Sequence, residues 1–509
     1  MSGERLLLAN ARLLNGSSDL RHVTVQNGRV SSVSAASAEP PHDQRVDLAG
    51  RVLCPGLYGQ VHFTTWTASQ RQVSLAGLAS LDAVLAAVGQ ALDTRGAAHR
   101  GEVLSGYGLQ LASWTDDDLA RMTAATLDAA FPDAGPIALF LVDLHSGWVN
   151  SAMLALRNLS GDGIVREQES YDTLTLLSKL SEAHLDEWCS DAALEAAKRG
   201  VTEIVELEMG PNIATWQRRA KRPEGLRMRV RCGMYSEHLE DAIGAGLKSG
   251  DVVAGTDGLV TVGPFKLISD GSLGTRNACC EHAYPHPPAP PDDHGTLNVD
   301  SAALRSKLEH AIEHGLQFAV HAIGDRANKQ ALDVIESLLP LRPLPGSSIE
   351  HAQLLRWEDV PRFAQLGISA SMQPEHLIDD RELLKRYWPG QSDRALPMRS
   401  LLDAGATLKL GSDAPVAALD PWRGIAAAVM RGRAGEEDQP DKWQHPEQRI
   451  TVEEALRAST STGQLDVQAG DVADLCVLEH DPLTVSIATL RTMPVRGTLL
   501  AGRWTWCDL

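Results

Sequence analysis

The sequence predicts an α/β fold, a (β/α)8 TIM-type barrel with a small composite β-sandwich domain built from both termini and an insertion after the first barrel strand. Three observations lead there. Eight short apolar segments alternate with longer stretches of helical periodicity through the middle of the chain. The two ends share a turn-punctuated β texture, and reactive polar side chains fall at the ends of five of the eight segments.

In chain order, residues 5 to 54 read as short strands separated by turns, with Asn27-Gly28 inside VTVQNGRVSSVSA as a hairpin signal. The far end has the same character in ADLCVLEHDPL and in VRGTLLAGRWTW, where Ala501-Gly502 separates two strand-like runs. Residues 1–54 and 450–509 are therefore expected to form one β-domain, and residues 55–449 the barrel. The candidate barrel strands are LYGQVHF (57–63), VTEIVEL (201–207), MRVRCGMY (228–235), VGPFKLISD (262–270), LQFAVHAIGD (316–325), SSIEHAQLL (347–355), GISASMQP (367–374) and ATLKLGSDAPV (406–416). SAALRSKLEHAIEHG and RANKQALDVIESLL, lying between them, carry apolar residues at three- and four-residue spacing, the mark of helices with one buried stripe. The interval from about 70 to 200 breaks this rhythm with helical stretches and a strand-like PIALFLVDLHSGWVN, which reads as an insertion that forms or covers the barrel mouth. The Pro-rich YPHPPAPPDDHG (284–295) reads as a rim loop.

In a parallel barrel all strand C-termini share one face, so residues far apart in sequence converge there. The five at issue are His62, Lys266, His321, His351 and Asp413. Imidazole and carboxylate suit zinc or a similar divalent ion, which lowers the pKa of water at an open coordination position to about 7. Asp413 could then accept the water's proton and hand it to a leaving nitrogen. Taken singly, a strand-end histidine is more often structural and Asp413 could cap a helix; the convergence points to a site.

Composition narrows the function. A formal net charge of −19, from 47 Lys+Arg against 66 Asp+Glu, repels polyanions and argues against nucleic acid as a partner. Seven scattered cysteines without CxxC spacing suggest neither a disulfide framework nor a zinc ribbon and fit a reducing cytoplasm. The apolar run near the start is too short for a signal peptide, and no stretch reaches the ~20 apolar residues of a membrane helix, so no membrane association is expected. Trp66, Trp114 and Trp148 are expected in packing rather than in an aromatic pocket, and His282, His286 and His294 in a solvated loop rather than an accessory metal site.

Six ordered strings resemble the amidohydrolase superfamily, specifically its YtcJ-like branch: PGL with VHFTTW at 55–66, DLHSGWVNSA at 143–152, GPFKLISDGSLGTR at 263–276, VHAIGDRAN at 320–328, IEHAQL at 349–354 and LGSDAPV at 410–416. The resemblance implies a metal-dependent hydrolase acting through metal-activated water on a non-peptide carbon–nitrogen bond of a small molecule, and a homodimer; zinc leads among the metals these ligand types suit, with iron, manganese and nickel also compatible. It matches Lys266 to a lysine that is carboxylated in many relatives, so that a carbamate bridges two ions. It matches His321 and His351 to the fifth- and sixth-strand histidines, and Asp413 to the eighth-strand aspartate. His145, Asn150, Asp270 and Arg276 lie in strings that resemble pocket elements, and Gln373 and His376 end the seventh strand, where they are expected to face substrate.

One departure matters. The family's first-strand His-x-His is here Gln60-Val61-His62, and a glutamine amide is a poor zinc ligand, offering at most a weak metal or substrate contact. The position shared by that pair and Asp413 is thereby weakened, while the Lys266–His321–His351 position is intact, so one tightly bound ion is expected in preference to two. The same loss motivates two alternatives on the scaffold: a non-hydrolytic lyase, isomerase or cyclase, and a catalytically silent binding protein.

Overall fold

Each of the eight alternating segments forms a strand, and most of their residues are buried, the pattern of a parallel sheet covered by helices. A computed structural model describes residues 4–14, 19–69, 72–95, 103–177, 182–285, 290, 292–341 and 345–509. The barrel strands are β1 (Leu57–Val61), β2 (Val201–Glu206), β3 (Arg229–Met234), β4 (Val260–Ile268), β5 (Phe318–Ala322), β6 (Ser348–His351), β7 (Ser369–Met372) and β8 (Thr407–Leu410). They pair in parallel in sequence order. Just past β8 the sheet meets its own first strand: Asp413 N–H donates to Gln60 O at 3.0 Å and His62 N–H to Ala414 O at 2.7 Å.

The covering helices follow their apolar stripes. Asp325–Ser337 buries Ala327, Ala331, Leu332, Val334 and Ile335, and Ser301–Glu313 begins where the Asp300 carboxylate accepts the Ala303 N–H at 2.8 Å. Among the described residues no helix is long and apolar enough to cross a membrane.

The chain's two ends interleave in one β-domain. Its strand order is Arg503–Cys507, Val495–Leu500, Leu475–Leu478, Val52–Pro55, Leu6–Leu13, Arg21–Gln26, Arg29–Ala35, and Gln44–Asp47 pairs with Leu6–Leu13. Leu6–Leu13 serves both halves. Before an irregularity at Leu8–Ala11 it pairs with Gln44–Asp47 and most of its register with Arg21–Gln26, and beyond it with Val52 and Leu53. Leu8, Val23, Leu53, Val477 and Leu499 fill the core between them.

The insertion carries its own five-stranded sheet, in the order Ile164–Arg166, Ser146–Val149, Ile137–Leu141, Leu104–Leu109, Val73–Ser74, over a core that includes Trp114 and Trp148. PIALFLVDLHSGWVN is thus two antiparallel strands and not one. Its turn sets Leu144 at φ 63°, a left-handed conformation for which the sequence carries no glycine or asparagine signal. Glu182–Ala197 packs on Phe63–Ser69 and on β2, and so belongs with the barrel wall rather than with the inserted sheet.

The β-domain runs into the barrel through Gly56, where backbone passes hard against β2. A Cβ here would stand 2.1 Å from Thr202 Oγ1 and 2.2 Å from its Cγ2. Gly56→Ala is therefore expected to destabilise the protein by about 1–3 kcal/mol through overpacking. Thr202→Ala, which removes both atoms, should recover part of that loss in a thermal-melt comparison of the single and double variants; an unaltered melting temperature in Gly56→Ala would contradict the contact.

Candidate active site

The parallel arrangement carries the five reactive residues to one rim. His62 follows β1 directly, Lys266 lies within β4, His321 within β5, His351 ends β6, and Asp413 stands three residues beyond β8. Four of them meet as two pairs. His321 and His351 face each other with ring centroids 4.5 Å apart in edge-to-face geometry, and His62 Nε2 lies 3.7 Å from Asp413 Oδ1. His321, His351 and Asp413 line a single cavity of about 70 Å³, room for a small molecule or a few waters. His351 and Asp413 hold left-handed backbone, with φ of 70° and 55°, a strain that surrounding structure has to sustain.

Burial decides the charge states. It pulls the His321 and His351 pKa values well below the ordinary 6.5, with the surrounding Lys266 and histidine charges adding to the effect, so both imidazoles are neutral. Burial likewise lowers the Lys266 pKa against the opposing pull of the Glu350 and Asp413 carboxylates. His321 has a backbone hydrogen bond to Gly271, whereas its Nε2, like His351 Nδ1, is buried without a hydrogen-bond partner. Asp270 Oδ1 lies 3.5 Å from His321 Nε2 but not in hydrogen-bonding geometry.

Several expected pocket residues have other employment. Asp270 does not line the cavity: its carboxylate accepts the N–H groups of Cys279, Ile323 and Gly324 at 2.8–3.0 Å and ties the loops after β4 and β5 together. Burial nevertheless raises its pKa to about 7. Asn150 is a helix cap outside the cavity wall, with Oδ1 accepting from Met153 N and Ile137 N while Nδ2 donates to Gly135 O. Arg276 lies outside the cavity wall, its guanidinium 5.9 Å from the Tyr387 ring centroid. Gln373 is consumed by Gln60: its Nε2 donates to Gln60 Oε1 at 2.7 Å, and Ser371 Oγ donates to the same oxygen at 3.3 Å. Gln60 itself is buried, outside the cavity wall, with Nε2 unpartnered.

His145 and His376 do line the cavity, His376 stacked on His351 with centroids 5.7 Å apart. His145 comes from the turn of the insertion, its Nδ1 3.0 Å from Glu167 Oε2 and 2.9 Å from Tyr171 Oη. Burial works to lower its pKa, but the Glu167 hydrogen bond and the carboxylates of Glu167, Asp143 and Asp413 outweigh it and raise the value to about 9. The inserted sheet thus presents an imidazolium to the mouth. Trp66, Trp114 and Trp148 are absent from the wall. His294 is held by Cys280 O and Asp292, His282 Nε2 is buried without a partner, and His286 lies outside the described residues.

Sequence reasoning missed Asp143, Glu167, Gln353, Asp379 and Asp380. Asp143 sits two residues before His145, and its Oδ2 accepts from Ser272 Oγ at 2.6 Å. Asp379 and Asp380 follow β7 on the loop face, where the rim rule would have found them. Glu167 had no sequence signal.

Among the described residues no three His, Cys, Asp or Glu side chains stand at metal-ligand spacing. The donors nonetheless fit one ion in part. His321 and His351 offer two neutral imidazoles with open nitrogens, and a third donor would have to come from a group that unmodified side chains lack. A carbamate on Lys266 would be such a group. The position that would use the first-strand pair does not fit, because the Gln60 oxygen is already bonded twice.

Comparison with known proteins bears on family and fold. The sequence model of the Amidohydrolase family matches residues 44–505. The chain is 28% identical over 500 residues to Protein LONG AFTER FAR-RED 3 of Arabidopsis thaliana, covering 89% of this chain and 82% of that one. It is 26% identical to the putative amidohydrolase YtcJ of Bacillus subtilis (strain 168), covering 91% and 90%. It is 24% identical to the N-substituted formamide deformylase of Arthrobacter pascens, covering 98% and 97%. An uncharacterized metal-dependent hydrolase from Pyrococcus furiosus superposes with a TM-score of 0.71 at 25% identity, covering 94% and 100%.

The His145–Glu167 pair has a pH signature. Because the folded-state pKa of His145 is raised from 6.5 to about 9, its stabilisation is full below 6.5 and is lost as pH climbs through about 9. Glu167→Gln should therefore cost about 1–3 kcal/mol near pH 6, with the melting temperatures of variant and parent converging above pH 9. A difference independent of pH would contradict the ion pair.

Proposed function

Since the chain belongs to the amidohydrolase family, we propose that it is a metal-dependent hydrolase that cleaves a non-peptide carbon–nitrogen bond of a small molecule: an amide, N-formyl group or cyclic amide. One observation carries this reading: two facing neutral imidazoles with unpartnered nitrogens in the wall of a cavity that also contains Asp413. The N-substituted formamide deformylase among the relatives supports the bond type.

His321, His351 and a Lys266 carbamate would hold one divalent ion, with zinc the best match to two imidazoles and an oxygen donor. When bound, it supplies a Lewis acid that lowers the pKa of water and polarises the scissile carbonyl. The carbamate itself needs an uncharged amine: Lys266 nitrogen adds to carbon dioxide and releases a proton, a reaction that burial of this lysine favours. Asp413, exposed to the cavity and 3.7 Å from His62, would accept the proton of the attacking water and return it to the leaving nitrogen. His145, anchored by Glu167 on the opposite lid, would hydrogen-bond the carbonyl oxygen as negative charge develops there. The inserted sheet would exclude bulk water from the reaction.

A second reading keeps the scaffold but replaces hydrolysis with elimination, isomerisation or ring closure. It is favoured by Gln60, whose bonded amide leaves the metal position shared with His62 and Asp413 short of one of its two first-strand ligands.

Elemental analysis of the purified protein should find about one divalent ion per chain, reduced in His321→Ala. Asp413→Asn should retain the ion and lose on the order of 100-fold or more in kcat across a panel of N-alkylformamides and lactams. Two stoichiometric ions, or unchanged turnover in Asp413→Asn, would contradict the assignment.

A further inference from the structure

Carboxylates outnumber cationic groups in the cavity wall, where the His145 imidazolium is already held by Glu167. Asp143, Asp379, Asp380 and Asp413 contribute to that wall, and among the described residues no lysine or arginine does. Much of the remainder is apolar, with Leu111, Leu141, Leu273 and Leu383 among it. Away from His145, such a wall repels an anionic ligand and would solvate a cation poorly, except where a carboxylate meets it.

The carboxylates are not equivalent. Asp143 is spent inside the protein: Oδ1 accepts the His145 N–H at 3.1 Å and Oδ2 the Ser272 hydroxyl at 2.6 Å. Asp413 belongs to the reaction centre, beside His62. Asp380 is different. Its Oδ2 takes one hydrogen bond of 3.2 Å from Gln353 Nε2, and among the described residues no donor reaches Oδ1. Burial raises its pKa to about 7, the mark of a carboxylate short of partners.

A second group on the same turn is also short of a partner. His376 lies four residues before Asp380, whose N–H donates to His376 O, so the two side chains share a helical face. His376 is only 8% exposed, lines the cavity, and has a buried Nε2 with no hydrogen-bond partner. Its ring stacks on His351, so this corner adjoins the reaction centre.

We propose that the Asp380–His376 corner is a specificity subsite for a cationic nitrogen of the substrate, a protonated amine, amidinium or guanidinium, with Asp380 as counter-ion and Leu383 and Leu111 packing its apolar stem. This rests on the reading above that the cavity receives the substrate, and narrows it to a cationic small molecule. The charged nitrogen brings several N–H donors, which matches an open carboxylate oxygen beside an open imidazole nitrogen. It explains why the wall keeps an acid at a place where a neutral side chain would be cheaper to bury.

Binding of three four-carbon probes, n-butylammonium, 1-butanol and butyrate, can be measured by calorimetry on the purified holoprotein without any turnover. The expected order is butylammonium tighter than butanol by about tenfold, the difference between a charged and a neutral hydrogen-bond partner, with butyrate weakest. Asp380→Asn, nearly isosteric, should bring butylammonium to within about twofold of butanol while butanol binding is unchanged, which also reports that the cavity remains folded. Equal binding of butylammonium and butanol to the parent protein, or a preference that survives Asp380→Asn, would overturn the subsite. Hydrolysis of neutral formamides alongside either result would leave the proposed reaction standing, so the two claims fail separately.

Discussion

Two backbone hydrogen bonds, Asp413 N–H to Gln60 O and His62 N–H to Ala414 O, join the last strand to the first, and the site depends on that closure. Without it His62 and Asp413 would stand on opposite edges of an open sheet. With it they lie 3.7 Å apart, on the same rim as the His321–His351 pair. The left-handed backbone at His351 and Asp413 is sustained by this framework, so position is fixed by the sheet and not by the loops alone.

Burial then sorts the residues by charge. Toward the barrel interior His321, His351 and Lys266 are driven toward their neutral forms, the forms in which imidazole donates a lone pair and an amine reacts with carbon dioxide. At the lid the opposite occurs, since Glu167 holds His145 charged. The wall between carries carboxylates and leucines without a compensating lysine or arginine among the described residues. A neutral donor pair, a cationic lid and an acidic corner are three environments within one cavity, each set by different neighbours.

The barrel was legible because its strands are buried on both faces and read as continuous apolar runs, with the reactive residues at their ends. The hairpin in the insertion was not, since Leu144 takes the left-handed turn position that sequence rules reserve for glycine or asparagine. Asn150 could have been read correctly: an asparagine directly before SAMLAL is a helix-cap signal, and the cap outranked the motif. Asp270 misled for a subtler reason, because a strand-end aspartate suits a substrate contact as well as a loop tie, and only the three N–H groups around it decide. Glu167 and Asp380 are ordinary acids in sequence; partners and burial, which are tertiary properties, make them special.

The account stands on the two open imidazole nitrogens being metal donors, and the most direct measurement is anomalous X-ray diffraction from crystals of the protein as purified, collected on both sides of the zinc absorption edge. It predicts a single strong peak bonded to His321 Nε2 and His351 Nδ1, with extra density extending from Lys266 Nζ to the same ion. A water or a protein group filling the space between those nitrogens, with no anomalous signal there, would contradict it.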